Sequence, residues 1–317
     1  MRALLVVNPN ATATTARGRD VVVHALSADH DVEVVETNHR GHAIELGARA
    51  RAEGRELVIT FGGDGTVNEV VNGMLAEAGP GDDVPLLATV PGGSANVFAR
   101  ALGLPADTIE ATGELLDAIR HKRVRTIGLG HADHRSVGHA DQRWFCFNAG
   151  VGLDAEIIEA MESRRAQGHR ATTSRYVSTA LRHYFRSTDR RTPALTLTRP
   201  GQPPIEGIFV ALVQNTSPWT FMGPFSLDPS PHASFDTGLD LFAVRRLGVF
   251  STLRYSRRMV LPSRGPSNSD GLVTLHDAAA LTLLATRPMP LQLDGDSCGR
   301  VREVTFRSVP RALRVLV

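Results

Sequence analysis

An apolar run, Leu57-Val58-Ile59-Thr60, is followed after one phenylalanine by Gly62-Gly63-Asp64-Gly65-Thr66. Apolar residues then return at helical spacing as Val67, Val70, Val71, Met74 and Leu75. The order strand, glycine turn, helix recurs. Pro85–Val90 ends in Pro91-Gly92-Gly93-Ser94-Ala95-Asn96, and Val97, Phe98, Ala101 and Leu102 follow as a helical stripe. Near the start, Leu4-Leu5-Val6-Val7 runs into Asn8-Pro9-Asn10-Ala11. Three strands that end in small, polar turn residues and feed helices point to a parallel sheet covered on its faces.

Strands are predicted at 2–8, 31–36, 57–61 and 85–91, and helices at 14–28, 42–53, 67–78, 95–103 and 109–121. From about residue 124 the rhythm changes to short strand-like runs at 124–131, 144–149, 194–199, 207–214, 239–245, 272–276, 281–286, 291–293, 301–307 and 312–317. Gly, Pro and Asp turns separate many of them, which reads as an antiparallel, β-rich second domain. The expected division is therefore 1–124 as an α/β domain and 125–317 as a β-rich one. A ligand is expected in a cleft between them.

Chemistry follows from the turns. Ligands of open α/β sheets sit beyond the carboxyl ends of the strands. Glycines let a backbone turn sharply and approach a ligand, and the N–H groups at a helix start favour phosphate. Asp64 would repel bare phosphate but would suit a magnesium–nucleotide complex. The plainer alternative is that Thr66 and Glu69 form a capping box for the helix.

Several motifs together carry a family resemblance. Gly62-Gly63-Asp64-Gly65-Thr66-x-Asn68-Glu69-Val70-x-Asn72-Gly73 resembles the signature of the diacylglycerol kinase catalytic family, which includes bacterial lipid kinases and sphingosine and ceramide kinases. Pro91-x-Gly93-Ser94-x-Asn96-x-Phe98-Ala99-Arg100, Asn8-Pro9, and Thr37 before Gly41-His42-Ala43 are similar to further motifs of that family. So are Phe147-Asn148-x-Gly150-x-Gly152-x-Asp154-Ala155 and Asp294-Gly295-Asp296. Three positions depart from the pattern: Ser94 stands where the family usually has Thr and keeps the hydroxyl, Val97 where it has an acid, and Asp296 where it has Glu.

The resemblance implies a Rossmann-like α/β domain of the NAD kinase and diacylglycerol kinase kind, followed by an antiparallel β-sandwich domain. It also implies that the last strand, about 308–317, packs back on the first domain. The implied activity is transfer of the γ-phosphate of ATP, with Mg2+, to the hydroxyl of a lipid alcohol, diacylglycerol first. Gly62, Gly63, Gly65 and Thr66 would cradle phosphates, and Asp64 would organise magnesium. Asn8, Pro9, Asn10, Thr37, Asn68 and Ser94 would line the nucleotide pocket. Asp294 would accept the acceptor's proton, with Asp296 as partner or alternative; two acids one residue apart on a strand can point the same way and couple. An ordinary acidic turn is the alternative there. Asp236, near Asp240, is a candidate metal ligand or a solvated turn. A kinase of a soluble substrate such as NAD, and a catalytically weak lipid-binding or regulatory protein, are the competing functions.

Composition narrows the rest. A net charge of +2 gives no argument for nucleic acid. The basic residues are almost all Arg, and Lys122 is the only lysine, so a phosphate-binding lysine of the Walker type is absent. Cys146 and Cys298 lack metal-ligand spacing and are expected to stay reduced. The chain enters its first strand within a few residues and has no apolar run of membrane-spanning length. A cytoplasmic protein is expected, meeting lipid at the inner face of the membrane as a peripheral protein; a homodimer is compatible with this. Residues 164–191 carry eight arginines around Tyr176, Val177, Ala180, Leu181, Tyr184 and Phe185. That is a basic amphipathic stretch for a bilayer surface, or a helix packed on the β domain with a solvated Arg face. His131, His134 and His139 are expected in a polar loop rather than at a metal.

Overall fold

The computed structural model describes residues 1–28, 30–76, 78–136, 139–166, 189–222, 225–260 and 271–317. The chain divides into two units, one of Met1–Leu129 with Pro310–Val317, the other Gly130–Val309.

In the first unit β1 (Arg2–Val7), α1 (Ala16–Ser27), β2 (Asp31–Glu36), α2 (His42–Ala52), β3 (Leu57–Gly62), α3 (Asp64–Leu75), β4 (Leu86–Pro91), α4 (Val97–Ala101) and α5 (Thr108–His121) follow in order. The sheet order is β4-β3-β1-β2, all parallel, and Val315 near the chain end pairs with Leu87 of β4. Side chains alternate across the sheet. Leu5, Val7, Leu57, Ile59, Phe61, Ala88 and Val90 pack with Val22 and Leu26 of α1 and Leu115, Ala118 and Ile119 of α5. The opposite face meets α3, whose Val67, Val70, Val71, Met74 and Leu75 are buried. Each such side chain contributes about 1.5–3 kcal/mol by leaving water.

Helix ends follow local chemistry. Thr15 Oγ1 accepts from Gly18 N at 3.0 Å to start α1, and Asp107 Oδ1 accepts from Ile109 N and Glu110 N to start α5. Lys122 ends α5 in the left-handed conformation (φ 51°), so the single lysine is an exposed helix cap.

Helix α3 begins at Asp64, three residues before the expected start at 67, with Gly63 at its N-cap and no side-chain cap. Thr66 therefore sits inside the helix, and the capping-box alternative does not hold. Its hydroxyl accepts from Asn8 Nδ2 at 3.1 Å, while Glu69 Oε1 accepts from Gly41 N at 3.1 Å, at the N-cap of α2.

The second unit is strand-rich and antiparallel. Its strands include β5 (Val124–Ser136) from Gly130 on, β6 (His139–Phe145), β7 (Asn148–Val151), β8 (Leu195–Arg199), β9 (Gln202–Ile208) and β10 (Val210–Gln214). There follow β11 (Thr220–Met222), β12 (Phe225–Leu227), β13 (Leu239–Val244), β14 (Leu272–Ala278), β15 (Ala280–Leu293) and β16 (Asp296–Leu316), whose residues from Pro310 on belong to the first unit. The order is β14-β13-β10-β7-β15, with β8 and β9 added beside β15. Runs expected as separate strands merge: 281–286 with 291–293 into β15, and 301–307 with 312–317 into β16. Register shifts between Leu284 and Met289 explain the break in apolar alternation.

Two helices in this unit, α6 (Leu153–Ala166) and α7 (Val249–Val260), were not expected. The expected polar loop at His131 and His134 is a β5–β6 hairpin. His131 meets Trp144 edge-on at 4.6 Å, and His134 is 3% exposed. The Arg-rich membrane stretch falls largely on 167–188, outside the described residues.

Candidate functional site

Parallel register aligns four strand ends in the first unit. Val7 lies beside Glu36 and Phe61, and Gly62 beside Pro91. Asn8, Thr37, Gly62-Gly63 and Gly92-Gly93 thus leave the sheet along one edge. Thr37 N donates to Val7 O at 2.8 Å and Asn8 N to Phe61 O at 2.9 Å, so both residues continue the ladder.

The two glycine turns pack main chain on main chain. Gly92 N donates to Gly62 O at 2.7 Å. A Cβ on Gly93 would stand 2.7 Å from Gly63 Cα, and one on Gly63 would stand 3.3 Å from Gly93 Cα. Only glycine permits this approach. Asn96, in the left-handed conformation (φ 48°), closes the second turn on itself: Oδ1 accepts from Gly93 N at 2.8 Å and Nδ2 donates to Gly93 O at 2.9 Å. The result is a small main-chain platform at the N-terminus of α3, where Thr66 N and Val67 N already donate to Gly63 O and only the N–H groups before them lack an intrahelical acceptor.

Asp64 opens α3 and ties it to the next motif. Its Oδ2 accepts from Val97 N and its Oδ1 from Phe98 N, both at 3.0 Å. Burial pushes the Asp64 carboxyl up, against the pull of N–H donation from Phe98, Val97 and Asn96. At Val97, where the resembled family usually has an acid, the main-chain N–H serves Asp64 and the side chain is 2% exposed.

The expected pocket residues divide. Ser94, Pro9 and Asn10 are exposed, and Asn8 and Thr37 are partly so. Asn8 Oδ1 accepts from Asn10 N at 3.0 Å. Asn68, by contrast, is fully buried and accepts from Asn72 Nδ2 at 3.1 Å, so as placed it offers no atom to a ligand. One further residue lies beside the second turn. Thr14 Oγ1 is buried and has no partner among the described residues, and a Cβ on Gly92 would stand 2.4 Å from it. Only its place beside the second turn marks it; its sequence context is a run of Ala and Thr.

In the second unit, Asp294 (φ 49°) and Gly295 (φ 83°) make a tight turn between Leu293 and Asp296, which pair across it. The two acids therefore do not sit on one strand, and each has its own partner. Asp294 is 5% exposed; its Oδ2 accepts from Cys146 N, and its Oδ1 accepts from Phe147 N and Asn148 N at 3.0 Å. Asp296 Oδ2 meets Arg143 Nη2 at 2.8 Å. A buried polar net surrounds the turn. Gln292 Nε2 donates to Asn148 Oδ1 and Asp154 Oδ2 at 3.0 and 2.8 Å, and its Oε1 accepts from Gly295 N. A Cβ on Gly150 would fall 2.1 Å from Asp154 Oδ2, which accounts for a glycine in that motif. Gln292 carried no motif signal.

Asp236 lies on an exposed turn, its N donating to Ser234 Oγ at 3.2 Å, while nearby Asp240 is buried and bonded to His276 Nδ1 at 2.8 Å. Among the described residues no three His, Cys, Asp or Glu side chains are grouped to hold a metal. Asp64 therefore belongs to no such group.

Residues 2–132 match the family described as "Diacylglycerol kinase catalytic domain". A diacylglycerol kinase of Bacillus subtilis is 30% identical over 171 residues, 51% of this chain and 50% of that protein, so the match spans about half the relative's length. The crystal structure of a diacylglycerol kinase from Bacillus anthracis aligns over 99% of this chain and 96% of its own, with TM-score 0.72 and 21% identity. An NAD kinase from Archaeoglobus fulgidus, in complex with ATP, aligns over 99% and 93% with TM-score 0.53 and 11% identity. At these two identities the likeness is one of fold.

Proposed function

Because residues 2–132 match the diacylglycerol kinase catalytic-domain family, we propose that the chain is an ATP-dependent lipid kinase whose acceptor is a lipid alcohol, diacylglycerol first. The observation that carries the reading is the pair of glycine turns packed on each other at the start of α3. Backbone N–H groups at the start of α3, not a lysine, are what this chain offers to phosphate; Gly92 N and Gly93 N already donate to Gly62 O and Asn96 Oδ1 and serve to shape the turn. The exposed Ser94 hydroxyl is a side-chain donor beside them. Magnesium would neutralise phosphate charge and be held from the protein side by Asp64, directly or through water.

Phosphoryl transfer asks little covalent chemistry of the protein. The acceptor oxygen bonds to the γ-phosphorus, the bond to the β–γ bridging oxygen breaks, and ADP leaves with that electron pair. The hydroxyl proton passes to a carboxylate. Asp294 is the proposed acceptor of that proton, fixed in orientation by its three main-chain donors, with Asp296 as the alternative.

The test is phosphate transfer from labelled ATP with magnesium to diacylglycerol, monoacylglycerol, sphingosine, ceramide and NAD, for wild type, Asp64→Asn and Asp294→Asn. Label in one lipid, lost in Asp64→Asn, is expected. Label in NAD alone would replace the reading with a soluble-substrate kinase, like the NAD kinase from Archaeoglobus fulgidus that shares the fold.

A further inference from the structure

Helix α7 is apolar on two opposite sides. Its inner side packs: Tyr255 is 5% exposed, meets Phe242 edge-on at 6.5 Å and donates from Oη to Gly271 O at 2.8 Å. Met259 packs on the same cluster, and Met259 O accepts from Asp228 N just past β12. The outer side carries Phe250 at 89% exposure, Leu253 at 68%, Val249 at 52% and Val260 at 49%. At 100° per residue, Phe250, Leu253, Arg254 and Arg257 share one stripe. Phe225 on the neighbouring β12 is a further exposed aromatic, at 68%.

Charge accompanies this surface. Arg245, Arg246, Arg254, Arg257 and Arg258 fall between Leu241 and Val260, and no Asp or Glu does. An exposed aromatic and leucine set among arginines suits an interface that is apolar below and anionic above. A second copy of the chain fits poorly, because a two-fold contact would set these arginines against themselves. At twelve residues α7 is too short to span a bilayer, and no described helix is long and apolar enough to do so.

We propose that the outer face of α7 docks on an anionic lipid surface, Phe250 and Leu253 entering the headgroup region and Arg254 and Arg257 meeting lipid phosphates. The inference stands on this helix alone and not on the kinase reading.

Co-sedimentation with vesicles of phosphatidylcholine, with and without phosphatidylglycerol, tests it on the full chain. Wild type should bind the anionic vesicles. F250S/L253S should bind at least about tenfold more weakly to them, and R254S/R257S about 30-fold more weakly at low salt, from the ~1 kcal/mol each basic residue gains at such a surface. Phe250 and Leu253 are exposed, so the thermal midpoint of F250S/L253S should match wild type; Arg254 also lies over the Tyr255 ring at 5.5 Å, so the midpoint of R254S/R257S is measured beside its binding. Wild type left in the supernatant overturns the proposal, as does F250S/L253S binding like wild type with an unchanged midpoint. It is equally overturned if F250S/L253S turns a dimer into a monomer in sedimentation velocity and keeps wild-type vesicle binding. Absence of phosphate transfer leaves the vesicle result standing.

Discussion

Asp64 and Asp294 are the same side chain used in two ways. Each carboxylate accepts main-chain N–H groups from a segment distant in sequence: Asp64 from Val97 and Phe98, Asp294 from Cys146, Phe147 and Asn148. Asp64 stands partly open in the first turn of α3, whereas Asp294 is buried in a tight turn. Anchoring a carboxylate this way fixes its direction in both cases. What differs is how much of the local fold depends on it. At Asp64 the anchor joins two glycine turns that already hold each other; at Asp294 it satisfies three donors at once.

The largest effect should therefore come from Asp294→Ala, which leaves three buried N–H groups without their acceptor. We expect a loss of roughly 3–5 kcal/mol in urea unfolding. A loss below about 1 kcal/mol would break the contrast with Asp64. Next is Gly93→Ala, whose methyl would stand 2.7 Å from Gly63 Cα. It should cost about 1–3 kcal/mol by forcing the turns apart, read by the same unfolding.

Asp64→Asn should unfold within about 1–2 kcal/mol of wild type, since one oxygen still accepts. Phosphate transfer should nonetheless fall on the order of 100-fold with loss of the metal-organising charge. Equal losses of stability at Asp64 and Asp294 would erase the distinction between them.

The smallest effect concerns pH. Burial lowers the His134 pKa, opposed by Asp133 and Asp141 and aided by Arg143. The unfolded state then binds the extra proton first, so the stability contribution is complete above about 6.5. It is lost as pH falls from there through the folded value. The thermal midpoint of His134→Leu should drop less between pH 7.5 and 5 than that of wild type. Parallel curves would contradict this.

Legibility in the sequence follows the range of the interactions. The parallel strands and the stripe of α3 are local patterns, and Val67, Val70, Val71, Met74 and Leu75 are all buried as their spacing predicts. The start of α3 was read three residues late because Thr66 mimics a cap while bonding instead to Asn8, 58 residues away. Asp294 could be noticed through its motif, but its donors lie 146 to 148 residues earlier, and no periodicity reveals that. Helix α7 escaped because Tyr255 and Met259 face inward while Phe250 and Leu253 face outward, which blurs any single apolar stripe. Asn68 was read as a pocket residue from its motif, yet lies inside, bonded to Asn72.

Titration of magnesium–ATP into wild type and Gly93→Ala by calorimetry tests the central claim, that the paired glycine turns are the phosphate cradle. Wild type should bind, and Gly93→Ala, at a temperature where it is still folded by circular dichroism, should bind at least about tenfold more weakly. Equal affinity in the two proteins would contradict the cradle and, with it, the reading of the site.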